Sequence, residues 1–336
     1  MQAFNLNDPE FGKHALIVIG MHRSGTSATT GALQCLGVQL GKKLYAGHSN
    51  INPKGYFEHN DITDLNDDVL LQLGSCWDDV LVKEEGWEAE EELRPFAARM
   101  LRYMHKDFAQ SPLWAIKDPR VCRLLPWWLG ILATAGVKPH FLFVIRSPDE
   151  VYRSLHRRDG FSQEKAFMLW VLHYLEAERA TRDCTRAFLP FDSLLNNPAE
   201  ELLRVERQLN LRFPVPVEAA AECLRRFLSN DLKHHRSGGD RSSEIPIVGL
   251  AYALEANLLQ AARHPEIEPN RAAMDELWRR LEEIQASLSP LLVQQLRALN
   301  RDRGQTQLTF NRVMRSWYWY MGKPARFLER LLGRNV

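Results

Sequence analysis

The residues best suited to chemistry in this 336-residue chain form one short run, Gly20-Met21-His22-Arg23-Ser24-Gly25-Thr26-Ser27. Gly20 and Gly25 permit tight backbone turns, and freed N–H groups at a helix start point at an anion. Arg23 adds a permanent positive charge, Ser24, Thr26 and Ser27 add hydroxyl donors, and His22 belongs to the same binding loop. Such a set cradles phosphate or sulfate. Its spacing matches the nucleotide-triphosphate P-loop, but Thr26 stands where that motif requires the lysine that reaches the β- and γ-phosphates. That substitution argues against ATP or GTP.

A strand must deliver this loop and a helix must lead away from it. Residues 15–19 are a branched apolar run, too short for a helix and closed by Gly20, as in a strand buried on both faces. From Ser27 the period is helical, with Ala28, Ala32, Leu33 and Leu36 on one stripe. Further strands are predicted at 113–117, at 139–146 and from 186, and helices at 61–73, 86–110 and 161–181.

Open α/β sheets gather catalytic groups at the carboxyl ends of their strands. The second strand ends in Lys117-Asp118-Pro119-Arg120, so Lys117 and Arg120 are expected to face a bound anion, with Asp118 holding the cations in place. The third ends in Arg146, and Ser147, Pro148, Asp149 and Glu150 then supply the cap, first turn and dipole complement of a helix. Ser154 lies about two turns along it. A guanidinium and a hydroxyl so placed grip one phosphate from two sides. Between the first two helices, Pro53 and Gly55 turn the chain and Tyr56 and Phe57 anchor it. Glu58 and His59, next to them, are the acid–base candidates nearest the cradle. His173 reads as a packed or substrate-lining histidine and Asp192 as a brace.

The cradle's Arg-Ser-Gly-Thr-Ser resembles the phosphosulfate loop of sulfotransferases that use 3′-phosphoadenylyl sulfate (PAPS). Lys117-Asp-Pro-Arg120, the Arg146–Ser154 pair and the strand and turn at 186–198 resemble the same family in the same order, within residues 14–240. The resemblance implies an α/β fold, a P-loop-like three-layer parallel sheet flanked by helices, with a helical C-terminal extension. It implies a sulfonate moving from PAPS to an acceptor hydroxyl, with a carbohydrate as candidate acceptor and no metal. Arg146 and Ser154 would hold the 3′-phosphate, Arg23 and Lys117 would act on the transferring group, and Glu58 would be the base. Family members commonly carry Lys at the position of Arg23, so Arg23 is a departure: it can stabilise a leaving group but donates a proton poorly. The alternatives are a P-loop kinase-like phosphotransferase using ATP and Mg²⁺, a non-catalytic nucleotide-binding module, and a membrane-associated scaffold.

Composition narrows the setting. Apolar residues make up 45% of the chain, ample for a core, and a net charge of +1 predicts no nucleic-acid partner. Five scattered cysteines without paired spacing read as reduced thiols, and with no signal-peptide pattern the expected location is cytoplasmic. Asp61, Asp64, Asp67 and Asp68 read as a solvated helix face, since the Gly and terminal Glu of a calcium loop are missing. The chain is divided at 245, with a nucleotide-binding domain at 1–245 and a helical extension at 246–336. The basic stretch 233–240 is a candidate lid. Met274, Leu277, Leu281, Ile284, Leu288 and Leu291 form a short heptad-like seam, suited to packing on the core or on a second subunit as a homo-oligomer. The tail from 312 mixes arginines with Trp317 and Trp319, a composition suited to peripheral contact with the inner face of a membrane.

Overall fold

The computed structural model describes residues 13–46, 55–228, 245–264 and 269–314. The basic stretch 233–240, residues 52–54 of the turn before Glu58, and the tail with Trp317 and Trp319 lie outside the described residues.

Alternation along the strands sets the layers. In β1 (His14–Ile19), Ala15, Ile17 and Ile19 enter one apolar core while Leu16 and Val18 enter another on the opposite face. A strand buried on both faces must be covered by helices on both, which favours parallel pairing through helical crossovers. The chain runs from β1 into α1 (Thr26–Cys35), α2 (Asn60–Gln72) and α3 (Arg94–Phe108), then β2 (Leu113–Lys117) and α4 (Val121–Thr134). It continues through β3 (Lys138–Ile145), α5 (Pro148–Asp159), α6 (Gln163–Ala180) and β4 (Thr185–Pro190). Helices α7 (Phe191–Asn196), α8 (Pro198–Gln208), α9 (Ala221–Phe227), α10 (Pro246–Arg263), α11 (Arg271–Ala286) and α12 (Pro290–Met314) complete the described chain.

All four strands are parallel, in the order β2-β1-β3-β4. The first core lies under α4, α6, α10 and α11, and the second under α1, α8 and α9. This is the three-layer α/β arrangement expected from sequence. The chain passes from β1 to β2 on one side and returns to β3 on the other. The crevice at the carboxyl ends of β1 and β3 is therefore a topological switch point, where open α/β sheets bind ligands.

Four local expectations change, one of them the solvated face of α2, where Asp68 is buried beside Arg99 and Asp67 pairs with Arg120. The charged stretch 86–110 is two 3₁₀ turns followed by α3, because Pro95 sets the start of the α-helix rather than continuing one. Cys35 and Cys223 are bonded as a disulfide between α1 and α9, so two of the five cysteines are not free thiols. They are 188 residues apart, and α9 brings them together by laying the Phe227 ring on Gly31, where a Cβ would stand 2.0 Å from it. Met274, Leu277 and Leu281 are buried in the first core, whereas Leu288 and Leu291 at the other end of that seam are exposed. Among the described residues no helix is long and apolar enough to cross a membrane, and no group of three or more His, Cys, Asp or Glu is placed to hold a metal ion.

Candidate functional site

The cradle forms as β1 ends. Ser24 N–H donates to Met21 O (3.1 Å), closing a tight turn, and Gly25 at φ +89° stands at the N-terminus of α1. Arg23 is itself left-handed, at φ +72°. Two positive-φ residues two apart, just before a helix, turn successive N–H groups into one concavity, an anion-binding nest. A left-handed conformation costs an ordinary side chain about 1–2 kcal/mol, and such strain concentrates at functional sites. The glycines are enforced by neighbours. A Cβ on Gly25 would stand 2.2 Å from the Phe191 ring, and one on Gly20 would meet Thr26 Cγ2 at 2.8 Å. Beneath Gly20 the buried Cys122 thiol accepts from Gly20 N at 3.4 Å.

Arg146 and Ser154 reach this loop from β3 and α5. Arg23 Nε donates to Ser154 Oγ (2.8 Å), and Arg146 Nη1 donates to Arg23 O (3.0 Å). Arg146 is held from behind by Glu150 (2.7 Å), lies 5.2 Å over the Phe191 ring, and its carbonyl accepts from Trp170 Nε1. Ser147 stands at the N-cap of α5 without a capping side-chain bond, and Asp149 and Glu150 of the first turn bind Tyr252 and Arg146 instead. These acids thus serve tertiary contacts more than the helix dipole.

Lys117, at the carboxyl end of β2, meets Glu58 across 59 residues of sequence: Nζ to Oε1 is 2.6 Å, with side chains 2% and 11% exposed. The segment carrying Glu58 is tied to the cradle, since Ser27 Oγ donates to Tyr56 O (3.2 Å). Phe57 is left-handed at φ +56°, and its ring packs edge-on against Phe227. Arg120 is clasped by Asp67 and by Asp118 (3.0 Å), and Asp118 also accepts from Asn66 (2.9 Å). Asp118 is thus a brace. His59 is committed elsewhere: it caps α2 by accepting from Ile62 N, and its Nε2 lies 2.6 Å from Asp107. His173 is fully buried and donates Nδ1–H to Leu169 O. Asp192 is exposed on α7.

The electrostatics suit an anion. Burial, followed by the Arg120 and Arg158 guanidiniums, His173 and Lys117, holds His22 well below the usual histidine range, so it is neutral. Burial and the neighbouring Arg158 and Arg146 also lower Arg23, which remains charged. One polar atom of the loop, His22 Nε2, is shut off from solvent without a hydrogen-bond partner, and the equally buried Ser24 Oγ has the Tyr174 hydroxyl as its neighbour. The Tyr174 hydroxyl beside Ser24 is directed to Val144 O. A buried polar atom left unsatisfied inside a cationic nest is a condition a bound ligand can relieve. His22 also meets the edge of Trp77 (4.5 Å between centroids), which stacks on Phe161 (5.8 Å).

The structure thus brings together His22, Arg23, Ser24, Gly25, Thr26, Ser27, Arg146 and Ser154, with Glu58 and Lys117 as a pair beside them. Sequence reasoning missed Phe191, Cys122 and the Trp77–Phe161 wall. Phe191 follows the last residue of β4, and the strand-end rule that picked out Lys117 and Arg146 reaches it too.

No family model matches the sequence, and no curated protein matches it. Solved structures similar to it include two sulfotransferase domains. The sulfotransferase domain from the Synechococcus PCC 7002 olefin synthase aligns at TM-score 0.38 and 15% identity, over 83% of this chain and 96% of that one. The sulfotransferase domain from the curacin biosynthetic pathway aligns at TM-score 0.34 and 13% identity, over 81% and 98%.

Proposed function

We propose that this protein is a sulfotransferase using PAPS. The observation that carries the reading is the meeting of the β1 cradle with the β3 pair, Arg23 Nε on Ser154 Oγ and Arg146 on the Arg23 carbonyl. A nucleotide with phosphate at one end only has no use for a second cation–hydroxyl pair next to the first.

The residues fit the cofactor. The positive-φ turn at Arg23 and Gly25, the Ser24 hydroxyl and the unsatisfied His22 Nε2 would hold its 5′-phosphosulfate end, and Arg146 with Ser154 its 3′-phosphate. Bound there, PAPS supplies the sulfonate that passes to the acceptor oxygen, leaving adenosine 3′,5′-bisphosphate. Arg23 and Lys117 stabilise charge as it develops on the departing phosphate, an electrostatic task for which fixed cations need no reorganisation. Glu58 takes the acceptor's hydroxyl proton. Its Oε1 is engaged by Lys117, and among the described residues Oε2 makes no hydrogen bond. The acceptor is a hydroxyl compound, with a sugar as leading candidate; beside His22, Trp77 and Phe161 lie with Arg158 over the one ring and Lys165 over the other.

Thermal stabilisation tests this directly. Adenosine 3′,5′-bisphosphate at a hundred times its dissociation constant should stabilise by about 2.7 kcal/mol. ATP with Mg²⁺ at the same concentration should do much less. Equal or greater stabilisation by ATP with Mg²⁺ would overturn the proposal in favour of a phosphotransferase.

A further inference from the structure

Helix α12 presents two unlike faces. One packs on α2 and the segment beyond it: Gly304 is buried so close to Leu71 O that a Cβ would stand 2.3 Å from it, Asn311 Nδ2 donates to Asp68 (3.2 Å), and Arg297 pairs with Glu84 after the helix. The other carries Leu292, Leu296, Leu299, Phe310 and Val313, between 39% and 65% exposed. With exposed Arg303 and Thr306 between them, these positions step by 4, 3, 4, 3, 4 and 3 residues. That is an unbroken repeat of 3.5. A face made for a globular core follows the 3.6 period of a straight helix, whereas a strict seven-residue repeat is the seam of a left-handed pair of helices.

We propose that this seam pairs antiparallel with α12 of a second copy of the chain. Charge chooses the orientation. Parallel pairing would set Arg303 against Arg303 in the seam, a like-charge contact. Antiparallel pairing with Arg303 opposite Thr306 avoids it and places Leu299 against Phe310 and Leu296 against Val313. It also brings Asp302 of each copy about 6 Å along the axis from Arg303 of the other, within reach of a long side chain. The two adjoining polar layers at the centre, Arg303 against Thr306 from each copy, then fix the register, as buried polar positions do in helix pairs. The proposal is independent of the reaction assigned to the crevice.

Sedimentation equilibrium of the full chain tests it. The expected mass is twice the 38.8 kDa of one chain. Leu299→Glu, which would bury a carboxylate against Phe310, should weaken association about 100-fold or more and give single chains at micromolar concentration. Its melting temperature should match that of dissociated wild type, since Leu299 is 65% exposed in one chain. Orientation is read by mixing Leu299→Cys chains with Phe310→Cys chains under mild oxidation. A disulfide-linked mixed dimer is expected, and Leu299→Cys chains alone should not link. A monomeric wild type would overturn the proposal, whether its seam binds anionic vesicles or is covered by residues 315–336. A dimer unaffected by Leu299→Glu would overturn it equally. Linkage of Leu299→Cys chains to one another would overturn the antiparallel arrangement.

Discussion

Replacing Glu58 by Gln separates the two roles its position allows, proton acceptor and partner of Lys117. The pair is nearly dry, with the contact at 2.6 Å and the ammonium side only 2% exposed. Removing one partner of such a pair outright costs roughly 3–5 kcal/mol, because the other charge stays buried and uncompensated. The glutamine amide would keep an oxygen that can accept from Lys117. The loss is then nearer the difference between a charged and a neutral hydrogen bond, about 1–2 kcal/mol. At about 2–4 °C per kcal/mol for a domain of up to 250 residues, the melting temperature should fall by only a few degrees. Turnover, by contrast, should fall roughly 10²–10⁴-fold, the usual contribution of a placed base. Affinity for adenosine 3′,5′-bisphosphate should hardly change. Lys117→Met supplies the companion measurement: it strands the buried Glu58 carboxylate, so it should destabilise more than Glu58→Gln, and the double variant should regain part of that loss. Scanning calorimetry, nucleotide titration and sulfonate-transfer rates on the four proteins decide the matter. If Glu58→Gln lowers stability as expected but keeps turnover within about threefold of wild type, Glu58 only holds Lys117 and the base lies elsewhere.

Two further outcomes are expected. Ser154→Ala deletes the hydroxyl facing Arg23 without stranding a charge, as loss of Arg146 would strand buried Glu150. It should weaken adenosine 3′,5′-bisphosphate about tenfold or more in calorimetric titration and leave adenosine 5′-phosphate unchanged; equal weakening of both nucleotides would remove the 3′-phosphate assignment. The second concerns acid. Burial lowers His173 to about 3 and His140 to about 4, so both are neutral in the folded protein at pH 5 but take up protons on unfolding below about 6.5. Their stabilisation is complete above pH 6.5 and is lost as pH falls towards 4, at about 1.4 kcal/mol per pH unit for each group. His173→Asn retains a donor for Leu169 O and should flatten the denaturant-derived stability slope between pH 6 and 4 by about that amount. An unchanged slope would show that His173 does not titrate with unfolding.

How far the chain could be read depended on how local each signal was. Apolar runs placed all four strands to within a residue or so, because a buried parallel strand is a short uninterrupted statement about its own environment. The cradle was legible for the same reason: its glycines, cation and hydroxyls lie within eight residues. Partnerships were not. Lys117 and Glu58 were separate candidates, and only the fold joins them across 59 residues. Cys35 and Cys223 had no informative spacing, since their approach depends on α9 docking over Gly31. The seam was half read. Its first part, Met274 to Leu281, packs into the protein's own core, and a longer, exposed repeat begins at Leu292, beyond the Pro290 that starts α12.

The cations around the crevice share a design that bears on the proposed reaction. Arg146 is held by Glu150, Arg120 by Asp67 and Asp118, and Lys117 by Glu58. Each acid fixes the direction of its cation before any ligand arrives, so charge developing on a departing phosphate meets donors that need not move. Of the acids behind Arg120, Asp118 is tied down in turn, by Asn66, and Asn66 by Trp128. Glu58, unlike Asp118, makes its described side-chain hydrogen bond to its own cation, Lys117, and to no second residue. An anion that draws on the Lys117 ammonium therefore competes directly with Glu58 and loosens a carboxylate that no second described residue braces. In the proposed reaction, binding the donor and freeing Glu58 would then be a single electrostatic event. The same coupling makes the effects of Glu58→Gln and Lys117→Met on turnover non-additive: once the carboxylate is gone, the lysine has only the leaving group left to act upon.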